Sequence, residues 1–287
     1  MGIARRARPR QLMVSDVEPS CDNHGMATGD DGLARKTGTQ AIERAISILR
    51  LFSTTDTSMS LTEVARAVGL TTATTHRILA TLVRERLLAN DAAAERYQIG
   101  PDSLFLFAAA ARKYGIDAAR SELDRVVATT HETAAIGVLD GSDTIVVLQV
   151  ESDLPLRFSR RVGTRVPTHV SAMGKVMIAF SGRDLGESVD DLGQLHRFTK
   201  HTITNRRKLL AELELARERG WAVNDNERYD GVRAVAVPIA RDNQPARASL
   251  GVQGPAERLP DSRVIEVVEQ LQTSADRLSL HLQVTTF

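Results

Sequence analysis

Residues 60–99 hold two short amphipathic patterns joined by a glycine turn, then a pair of strand-like runs. No other stretch restricts the fold as much. Ser60-Leu61-Thr62-Glu63 is a capping box, in which the hydroxyl caps the first helical turn and the carboxylate reaches back. Leu61, Val64, Ala65 and Val68 follow at i, i+3, i+4 and i+7, the apolar stripe of a short helix. Gly69 ends it. Thr71 or Thr72 caps a second helix, predicted from Ala73 to about Arg86. Leu87-Leu88-Ala89, a polar stretch over 90–95 and Arg96-Tyr97-Gln98-Ile99 then read as a two-stranded wing. Helix, tight turn, helix and wing make a winged helix-turn-helix, whose second helix suits the DNA major groove. An ordinary helical hairpin is the competing reading.

The second helix separates into two faces. Ile78, Leu79, Leu82 and Val83 share one side, with Thr75 at its centre as a packed threonine. Ala73, Arg77, Ala80 and Arg84 lie opposite, flanked by Thr74 and Thr81. The small residues let this face approach base edges. Arg77 can pair with guanine or phosphate, and Arg84, farther along, suits a phosphate. Thr72 and His76 on the border suit phosphates too. The DNA-contacting set is Thr72, Ala73, Thr74, His76, Arg77, Arg84 and, in the wing, Arg96.

The run Leu70-Thr71-Thr72-Ala73-Thr74-Thr75-His76-Arg77-Ile78-Leu79, with Arg96-Tyr97-Gln98-Ile99-Gly100 after it, resembles the DNA-binding half of the IclR family of bacterial transcription regulators. The resemblance makes Ala41–Phe52 the first helix, with Ile42, Ile46 and Leu49 on its core face. It continues through Pro167-Thr168-His169-Val170-Ser171-Ala172-Met173-Gly174-Lys175, then 224–227, 231–238 and 249–255. Several motifs in the family's order, over about residues 38–284, make it specific.

Composition agrees and adds limits. A chain of 287 residues has room for about two domains. Net charge is +1, and 37–100 carries seven Lys/Arg against six Asp/Glu. DNA affinity must therefore come from where arginines point and from summing contacts across a dimer. The single cysteine, Cys21, excludes an internal disulfide and a cysteine-rich zinc site. No apolar run reaches the roughly 18 residues a membrane span needs, and no apolar core follows the N-terminal arginines as in a secretory signal. A cytoplasmic protein without a membrane partner is expected.

Residues 1–36 combine Arg5, Arg6, Arg8 and Arg10 with a Gly/Asp/Ser-rich stretch lacking periodicity, the composition of a disordered extension. Met13 and Met26 offer later starts. Residues 37–100 form the winged helix-turn-helix. Pro101 can open a linker helix over 101–114, and Leu104, Phe105, Phe107 and Ala108–Ala111 make it too apolar to stay solvated. It packs on a partner's copy, as the resemblance implies, or on its own domain.

From 115 to 287 the pattern is α+β. Helices are predicted over 116–130, 170–180, 205–219 and 263–282, and strands over 135–139, 145–150, 221–223, 234–240 and 247–252. Asp140-Gly141-Ser142-Asp143 and Arg241-Asp242-Asn243-Gln244-Pro245 form hairpin turns. The resemblance makes this part a GAF-like sensor domain.

No catalytic constellation is legible. Gly174-Lys175 is not a phosphate loop, since His169 stands where glycine is required and Val176 replaces Ser/Thr. His131, His169, His196 and His201 lack metal-ligand spacing, and His169 is read as structural. No metal or cofactor is expected. Arg157, Arg160, Arg161 and Arg165 fit a solvated strand edge or an acid-binding site. The resemblance implies an effector pocket between the short helix near 172 and the sheet. Its helix-start contacts fall on Ala172 and Met173, its apolar walls on Val166 and Val232, and its polar positions on Asn224, Ala234, Gly251 and Gln253. Ala234 and Gly251 lack the thiol or hydroxyl that suits the smallest keto acids, so a somewhat larger carboxylic acid is expected. The expected function is a regulator binding a palindromic operator as a homodimer or homotetramer. The alternative is an enzyme or sensor whose helix-turn-helix serves packing.

Overall fold

A computed structural model describes residues 36–55, 57–241 and 244–282. The extension read as disordered lies outside them, apart from Lys36, which opens the first helix. The chain divides into two compact units that meet between Ala110 and Ala111.

The N-terminal unit begins with α1 (Lys36–Thr54). Ile48 and Phe52 are buried, with Ala45 and Leu49 packed beside them. Of the expected core residues, Leu49 packs here and Ile42 and Ile46 do not. Ile42 is 62% exposed and Ile46 43% exposed, so α1 carries a second apolar edge facing away from this core. A two-residue strand β1 (Met59–Ser60) leads into α2 (Leu61–Ala67) and α3 (Thr72–Arg84). The wing strands β2 (Leu88–Asp91) and β3 (Arg96–Ile99) follow. All three strands form one antiparallel sheet, β1-β3-β2, so the module is a winged helix-turn-helix and not a helical hairpin. Helix α3 stops at Arg84, short of the expected end, because Arg86 takes a left-handed φ of 58°.

Leu87 and Gly100 then tie the wing's two ends, with the Gly100 N–H donating to the Leu87 carbonyl at 2.9 Å. A Cβ at Gly100 would sit 2.2 Å from the Arg86 carbonyl oxygen, so only glycine allows this approach. The linker helix α4 (Ser103–Tyr114) starts here, and the Ser103 hydroxyl donates to the Leu87 carbonyl at 3.2 Å.

The C-terminal unit is built on a six-stranded antiparallel sheet. Helix α5 (Ile116–Thr130) precedes β4 (Thr133–Asp140) and β5 (Asp143–Val150), a hairpin closed by Gly141 at φ 61°. Edge strand β6 (Arg165–Pro167) follows. A 3-10 turn over Thr168–Val170 feeds α6 (Ala172–Ala179). After α7 (Leu185–Asp191) and α8 (Arg206–Arg219) come β7 (Ala222–Asp225), β8 (Val232–Ile239) and β9 (Ala248–Pro255). Helix α9 (Asp261–His281) ends the described chain. The strand order is β6-β5-β4-β9-β8-β7.

Alternation along the strands sends side chains to two cores. Val235, Val237, Leu250 and Val252 join α5 and α9 on one face. Ala234 and Ala236 meet α6 on the other. The small residues there let α6 approach closely. A Cβ at Gly174 would lie 2.4 Å from the Thr144 hydroxyl and 2.8 Å from the Thr168 carbonyl oxygen. Of the arginine-rich run, only Arg165 belongs to a strand. The rest is irregular, so the strand-edge reading holds at its last residue alone.

Candidate functional site

Helix α3 presents the face the sequence implies. Thr72, Ala73, His76, Arg77 and Arg84 are exposed, while Leu79, Leu82 and Thr75 are buried. The Thr75 hydroxyl donates to the Thr71 carbonyl at 3.0 Å, which satisfies it inside the core. Thr71 caps the helix by accepting the Thr74 N–H at 3.3 Å. Thr74 is half-buried, and its hydroxyl accepts from Thr71 at 3.0 Å. Arg84 pairs with exposed Glu85 at 3.0 Å.

Arg96 is placed differently from a free wing cation. Its guanidinium bonds Ser58 and Glu63 Oε2, the latter at 3.0 Å. Glu63 also accepts the Ser60 N–H at 2.7 Å, and this backbone bond, with Arg96, holds its carboxyl below the usual range. Arg96 thereby fastens the wing to the capping box of α2.

A cavity of about 30 Å³ lies beneath the first turn of α6. Its wall includes Ala172, Met173, Asn224, Ala234, Gly251 and Gln253, all expected pocket positions. Val166 and Val232 are not among the lining residues. Val166 pairs with Thr144 on the edge strand and is buried. Val232 pairs with Pro255, one pleat beyond the Ala234–Gln253 pair that reaches the cavity. The sequence reading missed Thr133, Gln149 and Val170, which also line it, while Arg160 lines it from the run for which an acid-binding site was one of two readings.

Met173 sets the size of this space. A Cβ at Gly137 would lie 3.0 Å from its Sδ, and one at Gly251 would lie 3.1 Å from its Cγ. The thioether therefore lies across two glycines on β4 and β9 and occupies the room their side chains would take. Such an unbranched side chain repacks easily. Above it, Ser171 caps α6 by accepting the Gly174 N–H at 3.2 Å. The first-turn N–H groups of a helix have no carbonyl one turn back to bond, and in α6 these belong to Ala172 and Met173.

The wall on the β7 side is anchored by buried polar pairs. Asn224 donates to the Val170 carbonyl, and its Oδ1 accepts the Glu227 N–H at 3.1 Å. Both ends of this amide thus hold the wall together. Lys175, wholly buried, donates to the Val223 carbonyl at 2.9 Å and pairs with Glu227 at 2.5 Å. Burial pushes the Glu227 carboxyl up, against the pull of the lysine. The motif pieces Gly174-Lys175 and Asn224–Glu227 are therefore one assembly. His169 has its structural role: it is buried, and its Nε2 meets the His196 carbonyl at 3.0 Å. Burial holds its pKa down. Among the described residues no group of three or more His, Cys, Asp or Glu could hold a metal, and no helix is long and apolar enough to cross a membrane.

Comparison with known proteins identifies both units. The family description "Bacterial transcriptional regulator IclR C-terminal" matches residues 109–280, and "IclR helix-turn-helix domain" matches 41–92. The chain is 31% identical over 279 residues to the HTH-type transcriptional regulator BhcR of Paracoccus denitrificans, covering 96% of this chain and 94% of that one. A crystal structure of an IclR transcriptional regulator from Alicyclobacillus acidocaldarius superposes with a TM-score of 0.76 at 28% identity, over 84% of this chain and 98% of that one. An IclR homologue from Microbacterium hydrocarbonoxydans, solved with 4-hydroxybenzoate, shares the fold, with a TM-score of 0.72 at 20% identity over 85% of this chain and all of the other. Relatives of this kind are named as transcriptional regulators, which sets aside the enzyme alternative. A winged helix-turn-helix joined to a GAF-like effector domain, matched by both family descriptions, places this chain in the IclR family of bacterial transcriptional regulators.

Proposed function

We propose that this cytoplasmic regulator binds a palindromic operator as a homodimer, or as a pair of dimers, and responds to a carboxylic acid held under α6. Residues 37–100 bind DNA, 101–114 link, and 115–287 sense. Thr72, Ala73, Thr74, His76 and Arg77 meet bases and phosphates, with Arg84 on the flanking backbone. Arg96 serves through the wing it fastens. The observation that carries the reading is the cavity beneath the α6 terminus, bordered by Ala172 and Met173 and walled by Ala234, Gly251 and Gln253. A helix N-terminus favours an anion.

Dimerisation is supported by the linker helix. Leu104, Phe105, Leu106 and Phe107 are 67, 70, 65 and 62% exposed, consecutive apolar side chains that water does not tolerate as a free surface. Ile42 and Ile46 add a second exposed apolar edge on α1. A second copy covering these residues gives two recognition helices, as a palindrome requires. Effector binding then favours one spacing of the two DNA-binding halves over another, through differential affinity.

Calorimetric titration of a bound acid tests the pocket. Gln253→Leu leaves a ligand group unpaired and weakens binding by about 1–3 kcal/mol. Met173→Ala frees the space over Gly137 and Gly251 and broadens the range of acids accepted. Operator binding without effector is unchanged in both. Unaltered acid affinity in both variants rules the cavity out.

A further inference from the structure

The cavity's volume of about 30 Å³ is about a tenth or less of the roughly 300–1,000 Å³ usual for a small-molecule pocket. A guest larger than a water or two enters only if a wall moves. Most of the walls are pinned. Strands β4, β8 and β9 each have a hydrogen-bonded strand on both sides. Helix α6 lies too close to Thr144 and Thr168 to admit a Cβ at Gly174. The segment 151–164 differs. It brings Arg160 to the cavity, forms neither helix nor strand, and has only Ser152 buried among its residues. A segment so poor in buried contacts opens at low cost.

Two residues of the cavity wall, Thr133 and Gln149, hold this segment down. Thr133 and Ala135 are alternate residues of β4 and share a face, and Gln149 stands opposite Ala135 on β5. The Thr133 hydroxyl donates to the Phe158 carbonyl at 2.6 Å and accepts the Ser152 N–H at 3.1 Å. Gln149 Oε1 accepts the Arg160 N–H at 3.3 Å. The far end is tied through main chain. The Gly163 N–H donates to the Val146 carbonyl at 2.7 Å, and the Val146 N–H to the Thr164 carbonyl at 3.1 Å. A hydroxyl has one proton to donate, so Thr133 cannot donate to a guest while it holds Phe158. We propose that residues 152–160 are the gate of the cavity and that Thr133 and Gln149 are its latch. They release the gate's main chain as a polar guest takes over their hydrogen bonds. What the gate admits rests on the cavity being the effector site; its opening does not.

The test uses the full chain with Cys21→Ser and Val146→Cys, which leaves one thiol in the cavity wall at a position 1% exposed. Ala135→Cys replaces Val146→Cys if the latter does not fold. Alkylation by iodoacetamide is followed by mass spectrometry, and global stability by chemical denaturation. Thr133→Val and Gln149→Leu each raise the alkylation rate by about 3- to 10-fold, the worth of a lost hydrogen bond. Thr133→Ser keeps the hydroxyl and the native rate. Ser171→Ala, which uncaps α6, leaves the rate unchanged. Unchanged rates in both latch variants overturn the proposal. An equal rise in Ser171→Ala also overturns it, because the opening then lies at α6. So do rates that follow global stability in every variant, or a thiol that stays unreactive throughout. Benzoate and phenylacetate are then added as probes. Slower alkylation in their presence, with calorimetric binding, supports the gate and the acid site together. Faster alkylation in the latch variants without protection by either acid supports the gate and counts against the acid reading.

Discussion

Arg86 stands at φ 58° directly after the recognition helix, in a conformation that costs an L-residue with a Cβ about 1–2 kcal/mol. Its compensation is modest, an ion pair to Asp102 at 2.9 Å with the arginine side chain 66% exposed. A pair that exposed contributes little. Arg86→Gly therefore stabilises the DNA-binding unit by up to about 1 kcal/mol, read as a raised melting temperature. Clear destabilisation shows that the Asp102 pair outweighs the strain. The resemblance to the IclR family implies a glycine at this position, the residue suited to such a backbone. No such signal places Arg160. Its guanidinium meets the rings of Phe158 and Tyr229, the latter 69 positions away in sequence and brought beside it by the loop between β7 and β8. Periodicity reports one element's faces and says nothing of which distant ring an arginine meets.

Elements were read well where a cap or a strict period marks them. Asn205 caps α8 and Gly220 ends it in the left-handed region, as the sequence suggests. Helix α1 was misread because two apolar stripes share it. Ile42 and Ile46 are spaced like core residues, yet Ile48 and Phe52 are the ones buried. Spacing cannot choose between a core and a partner surface. Strand β1 is too short to leave a pattern, and α7 stood unassigned for the same reason.

Two contacts between elements carry strong predictions. Lys175→Met removes the partner of a buried carboxylate and lowers the stability of the C-terminal unit by about 3–5 kcal/mol. Adding Glu227→Gln removes the stranded charge and returns part of that loss. A double variant no better than the single one shows that Lys175 acts through packing alone. At the wing's end, Gly100→Ala drives a methyl into the Arg86 carbonyl and destabilises the N-terminal unit by about 1–3 kcal/mol or more. Chemical denaturation followed by circular dichroism reads both, and a neutral Gly100→Ala contradicts the close approach.

At the scale of the molecule, the two units divide the work. One presents small residues and Arg77 on an exposed helix face, and the other encloses a cavity beneath the first turn of α6. The family frame was legible because its motifs are spaced along most of the chain in order. The full wall of the cavity was less so, since it comes from β4, β5, β7, β8, β9 and α6 together. The central claim is that α3 reads DNA, and binding of the native chain and Arg77→Ala to the DNA upstream of its own gene tests it directly. Fluorescence anisotropy at matched salt, against a scrambled duplex, is the measurement. The account predicts specific binding by the native chain, and a loss of about 1–3 kcal/mol per half-site in Arg77→Ala, with melting unchanged. Native-level affinity in Arg77→Ala, or no preference for the upstream DNA over the scrambled duplex, contradicts it.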